Sequence, residues 1–213
     1  MKITIIYDNS VYIEGLQSDW GFSCLVEVET MPGILFDTGA RGSILLSNMK
    51  KLNINPDNID IVFISHPHFD HTGGLAAFLE VNSNVMVYVP SGFRGIRSVK
   101  KVVSVTESKK IGENVFSTGE LNGIEQSLAV RTEKGVVLVT GCSHPPMKDI
   151  IEAASTYGKV YAIVGGLHAT TEFELFKDFD YIAPAHCTQH KERIKSLYPE
   201  KYVTCGTGKE IYL

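Results

Sequence analysis

One arrangement recurs along this chain of 213 residues: a short hydrophobic run and, just past its end, an imidazole or a carboxylate. Asp37 follows Gly33-Ile34-Leu35-Phe36, and His66 follows Ile61-Val62-Phe63-Ile64-Ser65. His144 follows a run from Val136 through Val139, His168 one from Val160 through Val164, and His186 the stretch Tyr181-Ile182-Ala183-Pro184-Ala185. Apolar, β-branched runs bounded by Gly, Pro, Asn or Asp read as strands. If these strands share a sheet with their C-terminal ends on one edge, the polar groups converge there. Open α/β sheets place their ligands at that edge. The seven histidines support the idea, since none precedes position 66 and none lies between 72 and 143.

Strands are expected over residues 3–7, 23–29, 34–36, 59–65, 85–89, 99–105, 114–117, 128–131, 136–140, 160–164 and 181–183. Residues 24–29 alternate apolar and polar, as a strand with one wet face would. Residues 61–64 and 136–139 are apolar throughout, as a strand covered on both faces would be. Helices are expected over 41–52, 74–80, 146–155, 171–176 and 188–197. In the first of these Ile44, Leu45 and Met49 share a side, and Lys50 and Lys51 sit where cations suit the helix dipole. Strands cluster early, then strand and helix alternate. That order implies an α/β fold with helices packed outside mixed sheets, either an αββα sandwich or a doubly wound sheet. No linker, charge block or low-complexity segment divides the chain, so residues 1–213 read as one domain.

The densest motif is His66-Pro67-His68-Phe69-Asp70-His71, followed by Thr72-Gly73-Gly74. In an extended segment residues two apart point the same way, so His66 and His68 share a side. Pro67 keeps His66 out of helix. Asp70 and His71 sit at a turn into a helix and can face a second point nearby. Imidazole nitrogen and carboxylate oxygen are ligands for zinc and similar divalent ions. Two such ions about 3.5–4 Å apart can polarise a bond and hold an activated water. Gly73 and Gly74 are expected to relieve crowding where the backbone passes the site.

This HxHxDH pattern resembles the signature of the metallo-β-lactamase superfamily. Phe36-Asp37-Thr38-Gly39, His144 and His186 extend the resemblance over essentially the whole chain. It implies an αββα metallo-β-lactamase-type sandwich, two mixed β-sheets flanked by helices. It implies His66, His68 and His144 at one metal site, with Asp70, His71 and His186 at the other. Asp37 resembles the superfamily's early aspartate, which orients ligands; an Asp opening a turn before Gly39 is the plainer reading. The implied cofactor is one or two divalent ions, zinc first, with manganese and iron as alternatives. Thr140-Gly141-Cys142-Ser143-His144, Gly165-Gly166-Leu167-His168 and Pro184-Ala185-His186-Cys187-Thr188 are similar to one branch in particular. Its archaeal members are dihydropterin ribofuranosylaminobenzene phosphate synthases of methanopterin synthesis. This chain is shorter than expected for that branch, chiefly between His71 and His144. It departs from the superfamily in one respect. The usual metal-bridging Asp between the last two histidine motifs is absent, and Gly165-Gly166-Leu167-His168 stands there instead. Either His168 takes that place, as a ligand or a substrate contact, or the bridge is missing.

The expected function is a metal-dependent hydrolase using metal-activated water on a phosphoester or other small-molecule ester. Asp70 is the candidate catalytic group, orienting that water or taking its proton. One alternative is a transferase in pterin-type cofactor synthesis acting on a phosphorylated ribosyl substrate. Another is a metal-dependent sensor or binding module that catalyses nothing.

Composition narrows the partners. A net charge of -4 leaves no basic footprint for nucleic acid and no attraction to anionic membranes. No run reaches the roughly 18 apolar residues of a membrane span, and the start is too polar for a signal peptide, so a cytoplasmic location is expected. The four cysteines, Cys24, Cys142, Cys187 and Cys205, lack CxxC spacing and are expected as free thiols. Cys142 and Cys187 adjoin the proposed ligands, and packing behind the site is the expected role. His190 is expected to face solvent. Arg94, Arg97, Lys100, Lys101, Lys109 and Lys110 form a basic stretch, read as a solvated face rather than a phosphate site. Ser143 needs no nucleophilic role beside a metal.

Overall fold

A computed structural model describes residues 1–29 and 31–213 of the chain. Among the described residues thirteen strands form two sheets. The first contains β1 (Lys2–Tyr7), β2 (Ser23–Val28), β3 (Met31–Phe36), β4 (Ile59–Phe63), β5 (Met86–Pro90) and β6 (Lys101–Val105). The second contains β7 (Lys109–Gly112), β8 (Val115–Ser117), β9 (Leu128–Thr132), β10 (Gly135–Thr140), β11 (Val160–Gly166) and β12 (Tyr181–Ala185). The last strand, β13 (Glu210–Tyr212), returns to the first sheet and pairs antiparallel with β1. The orders are β13-β1-β2-β3-β4-β5-β6 and β12-β11-β10-β9-β8-β7. Both sheets are mixed: β1, β2 and β3 run antiparallel and β3 to β6 parallel. Likewise β7 to β10 run antiparallel and β10 to β12 parallel.

The helices are α1 (Gly42–Lys51), α2 (Phe69–Thr72), α3 (Leu75–Val81), α4 (Met147–Ser155) and α5 (Lys191–Leu197). Strand periodicity explains the layering, because successive side chains leave opposite faces. Phe36, Ile61 and Phe63 face Val130, Val137 and Val139 across the space between the sheets. Their neighbours Leu35, Val62 and Ile64 turn outward onto Ile44, Leu45, Met49 and Phe78 of α1 and α3. On the other side Val136, Leu138 and Ile163 pack against Met147 and Ile150 of α4 and Ile194 of α5. Helix, sheet, sheet, helix is thus the αββα sandwich, and the doubly wound alternative is excluded.

Three expectations are corrected. The strand 23–29 does not have a full wet face: Glu27 and Glu29 are exposed, but Leu25 on the same side is buried under the outer helices. Residues 171–176 form no α-helix, only a short 3-10 turn over Phe173–Phe176. Gly73 and Gly74 answer crowding from a loop rather than from the site: a Cβ on either would sit 2.2 Å from the carbonyl oxygen of Ala40 or Thr38. The strands β7 and β13 carry too little apolar sequence to have been expected. All four cysteines are free, and among the described residues no helix is long and apolar enough to cross a membrane.

Candidate metal centre

The parallel strands β3, β4, β10, β11 and β12 do deliver their C-terminal ends to one edge. Asp37, Ser143, His168 and His186 follow those ends with φ of 54°, 62°, 42° and 43°, the left-handed region that non-glycine residues enter only when their surroundings hold them there. The chain turns back sharply at each of these points, which directs the side chains into the mouth between the sheets.

Among the described residues four overlapping groups of donor atoms result, and two of them consist of histidine and carboxylate donors alone. In each, the donor atoms lie within 4.8 Å of one another: His66, His68 and His144 in the first, Asp70, His71 and His186 in the second. His66 and His71 join them, with ring centroids 4.1 Å apart. Asp70 Oδ2 lies 3.1 Å from His186 Nε2 and 3.8 Å from His71 Nε2.

The ring orientations are fixed from behind. His71 Nδ1 lies 2.7 Å from Asp37 Oδ2, His144 Nδ1 lies 2.8 Å from Glu125 Oε2, and His186 Nδ1 lies 2.9 Å from Asn9 Oδ1. His66 Nδ1 lies 2.9 Å from Ser65 Oγ, whose hydroxyl donates to Asp37 Oδ2 at 2.7 Å. Each of these acceptors calls for a proton on Nδ1, which leaves the Nε2 lone pair of four rings turned inward. His68 instead presents Nδ1, 3.1 Å from His66 Nε2. Two nitrogens that close need a shared proton or cation between them. A donor set of imidazoles and one carboxylate, aimed at two neighbouring points, fits a borderline divalent ion at each.

The electrostatics agree with neutral rings. Burial drives His66 and His71 down to about 3, far below the ordinary 6.5, so both are unprotonated at neutral pH. Complete burial raises the Asp37 carboxyl to about 7, against the pull of His66 and of its Ser65 hydrogen bonds. Burial would also raise Asp70, but in the metal-free protein a proton between its Oδ2 and His186 Nε2, together with the nearby His71, outweighs burial and holds that carboxyl well below the usual range. Glu125, buried as it is, drops to about 2 because His144 and the backbone amides donate to it.

Some of the supporting groups were not expected from sequence. Glu125 accepts the N–H groups of Cys142, Ser143 and His144 at 2.8, 3.0 and 2.9 Å, and so shapes the whole turn that presents His144. Asp8 Oδ1 accepts the N–H of His186 at 2.8 Å, beside Asn9. Asp8-Asn9 follows the strand β1, the same strand-then-polar arrangement that marks the other site residues. Glu125 has no such marker. His168 is exposed at the rim, its ring 5.2 Å from that of His144, and neither donor cluster includes it. His190 packs edge-on against Phe173, with ring centroids 6.0 Å apart. The Ser143 hydroxyl donates to Gly166 O. Arg94 donates to the carbonyls of Ser91 and Phe93, and Lys101 and Lys109 lie on strands of different sheets, so the basic stretch is no single anion site.

Relatives bear this architecture. A family model described as the metallo-beta-lactamase superfamily matches residues 21–103. A Methanocaldococcus jannaschii protein, 7,8-dihydropterin-6-methyl-4-(beta-D-ribofuranosyl)-aminobenzene-5'-phosphate synthase, is 30% identical, the match covering 78% of this chain and 76% of that one. The chain belongs to the metallo-β-lactamase superfamily. An uncharacterised protein of the same archaeon is 26% identical over 98% of this chain and 99% of its own. Among solved structures, Tm1679, a metal-dependent hydrolase of the β-lactamase superfamily, superposes with a TM-score of 0.78 at 28% identity, covering 100% of this chain and 99% of that one. This superfamily typically binds divalent metals, and among the described residues here overlapping groups of histidine, aspartate and cysteine suited to such ions stand at the sheet edge.

Proposed function

We propose that the chain is a metal-dependent hydrolase of small phosphoesters or other small-molecule esters. The observation that carries this reading is the pair of donor clusters whose imidazoles are locked from behind by Asp37, Glu125, Asn9 and Ser65. A bound divalent ion supplies Lewis acidity and makes water nucleophilic at neutral pH. The chain's own part is orientation and proton handling. His66, His68 and His144 hold one position, and Asp70, His71 and His186 the other. Asp70, ionised and partly open to solvent, can orient a water; its lowered pKa favours that role over taking the water's proton. His68 is exposed, so a substrate can approach, and that openness weighs against a closed sensor site.

Metal content per chain, measured by element before any chelator is used, is the first test. About two zinc or manganese ions per chain support the reading, and no metal with no uptake on adding it back sinks it. His66→Ala and Asp70→Asn should each abolish hydrolysis in a phosphoesterase screen while the far-ultraviolet dichroism stays unchanged; full activity in either refutes the assigned roles. The synthase relative favours a second reading, group transfer from a phosphorylated ribosyl donor. Product analysis with such donors separates the two: a free phosphoribose means hydrolysis, a new bond to an added acceptor means transfer.

A further inference from the structure

Two cysteines sit inside the centre rather than behind it. Cys24 belongs to the apolar core and Cys205 packs against it, whereas Cys142 and Cys187 belong to none of the apolar clusters among the described residues. Cys142 Sγ lies 3.2 Å from His71 Nε2, the nitrogen left free once Asp37 holds Nδ1. It falls within 4.8 Å of the donor atoms of His66 and His71, and equally within 4.8 Å of those of His186 and Cys187. It is therefore common to the neighbourhoods of both donor clusters. Cys187 Sγ approaches the same loop, 3.6 Å from the carbonyl oxygen of Cys142.

The local backbone shows why sulfur stands here. No carboxylate stands directly after β11, the place where the family resemblance implies a metal-bridging Asp. A Cβ on Gly165 would lie 2.0 Å from Thr140 O, and one on Gly166 would lie 2.3 Å from Gly141 O and 2.7 Å from Cys187 Sγ. No side chain can reach inward from those positions, and the Cys187 thiol already fills part of the space. Thiolate, like carboxylate, can serve two metals at once, and it is a stronger ligand than carboxylate for borderline ions.

We propose that Cys142 is a sulfur ligand standing between the two half-sites, with Cys187 as a second sulfur on the His186 side. Ligation replaces each S–H bond with a sulfur–metal bond and releases one proton per thiol to solvent. The inference rests on the reading that the histidine clusters bind metal.

The test uses the reduced, metal-free protein loaded with cobalt(II) under argon. Visible d–d bands report cobalt held by any of these ligands, and a near-ultraviolet sulfur-to-cobalt charge-transfer band reports thiolate alone. The expected result is both bands in the wild type. Cys142→Ser should lose most of the near-ultraviolet band and keep the visible bands, and Cys187→Ser should lose part of it. Visible bands without the charge-transfer band in the wild type overturn the sulfur assignment and leave the metal reading standing. No visible bands at all overturn both. The wild-type spectrum decides the question even if a variant fails to fold.

Discussion

Glu125 is the side chain whose replacement should be most informative. Its carboxylate accepts four hydrogen bonds: Oε1 from the N–H of Cys142 and Ser143, Oε2 from the N–H and Nδ1 of His144. Glutamine has nearly the same shape, but one of its two positions becomes a donor. If the amide nitrogen replaces Oε1, two buried N–H groups face an NH2 and the turn must open. If it replaces Oε2, one amide is orphaned, and the His144 ring is driven to carry its proton on Nε2, which removes the lone pair a metal needs. Hydrogen bonds to a charged group are worth about 1.5–3 kcal/mol each. Two lost bonds set a range of about 3–6 kcal/mol, and local relaxation should leave Glu125→Gln near ~3 kcal/mol less stable, a large share of the ~5–15 kcal/mol typical of a domain. Metal affinity should fall about 10- to 100-fold, as when groups orienting a histidine ligand are removed. Guanidinium unfolding of the metal-free protein measures the first effect, and zinc competition against a chromophoric chelator measures the second. Glu133→Gln, on the exposed hairpin between β9 and β10, is the control and should shift stability by less than about 0.5 kcal/mol. If Glu125→Gln matches that control in both assays, the hydrogen-bond argument is wrong.

Three further outcomes are expected. Without metal, stability should decline with acid: His66 and His71 are held near 3 in the fold against 6.5 when exposed, so their contribution is complete above pH 6.5 and is lost as pH falls from there toward 3. Asp37, raised from 3.8 to about 7, takes up its proton early in the folded state and works the other way, but one carboxyl opposes two imidazoles, and a melting temperature that stayed flat or rose over this range would contradict the assignment. Trp20, the single tryptophan, lies edge-on to His186 with ring centroids 5.0 Å apart, so cobalt(II) bound at His186 should quench its fluorescence; equal emission with and without bound cobalt would mean that His186 is no ligand. Gly141→Ala would put a Cβ 2.1 Å from Ser65 Oγ, the hydroxyl linking Asp37 to His66, and should cost about 1–3 kcal/mol by overpacking, seen as a shifted unfolding midpoint; an unchanged midpoint would show that the turn has slack.

The fold was legible where strands are buried on both faces. The runs at 61–64 and 136–139 alternate between the sheet–sheet core and the helix layers, and nothing but a four-layer sandwich uses both faces of both sheets. The edge strands were not legible: β7 is Lys109–Gly112 and β13 is Glu210–Tyr212, mostly exposed and held in place by pairing rather than by burial. At the site, the strand-end positions disclosed Asp37, His66, His144 and His186 because chain direction alone brings those ends together. Glu125 was invisible for the opposite reason. It sits in a turn closed by the Leu121–Glu125 bridge and reaches the site only through the tertiary fold. Where the sulfurs of Cys142 and Cys187 point was not legible either, because a thiol beside a histidine in sequence says nothing of its direction.

The contact between Asn9 and His186 joins positions 177 apart, and β13 pairs with Lys2–Thr4 at the start of β1. During synthesis the HxHxDH segment leaves the ribosome long before His144 or His186 exists. A nascent chain can offer an ion only His66, His68, Asp70 and His71 on a mobile segment, a weak and exchangeable grip. On the proposed metal reading, the full ligand set therefore exists only in the finished protein, and the discrimination among ions falls there rather than on the emerging segment.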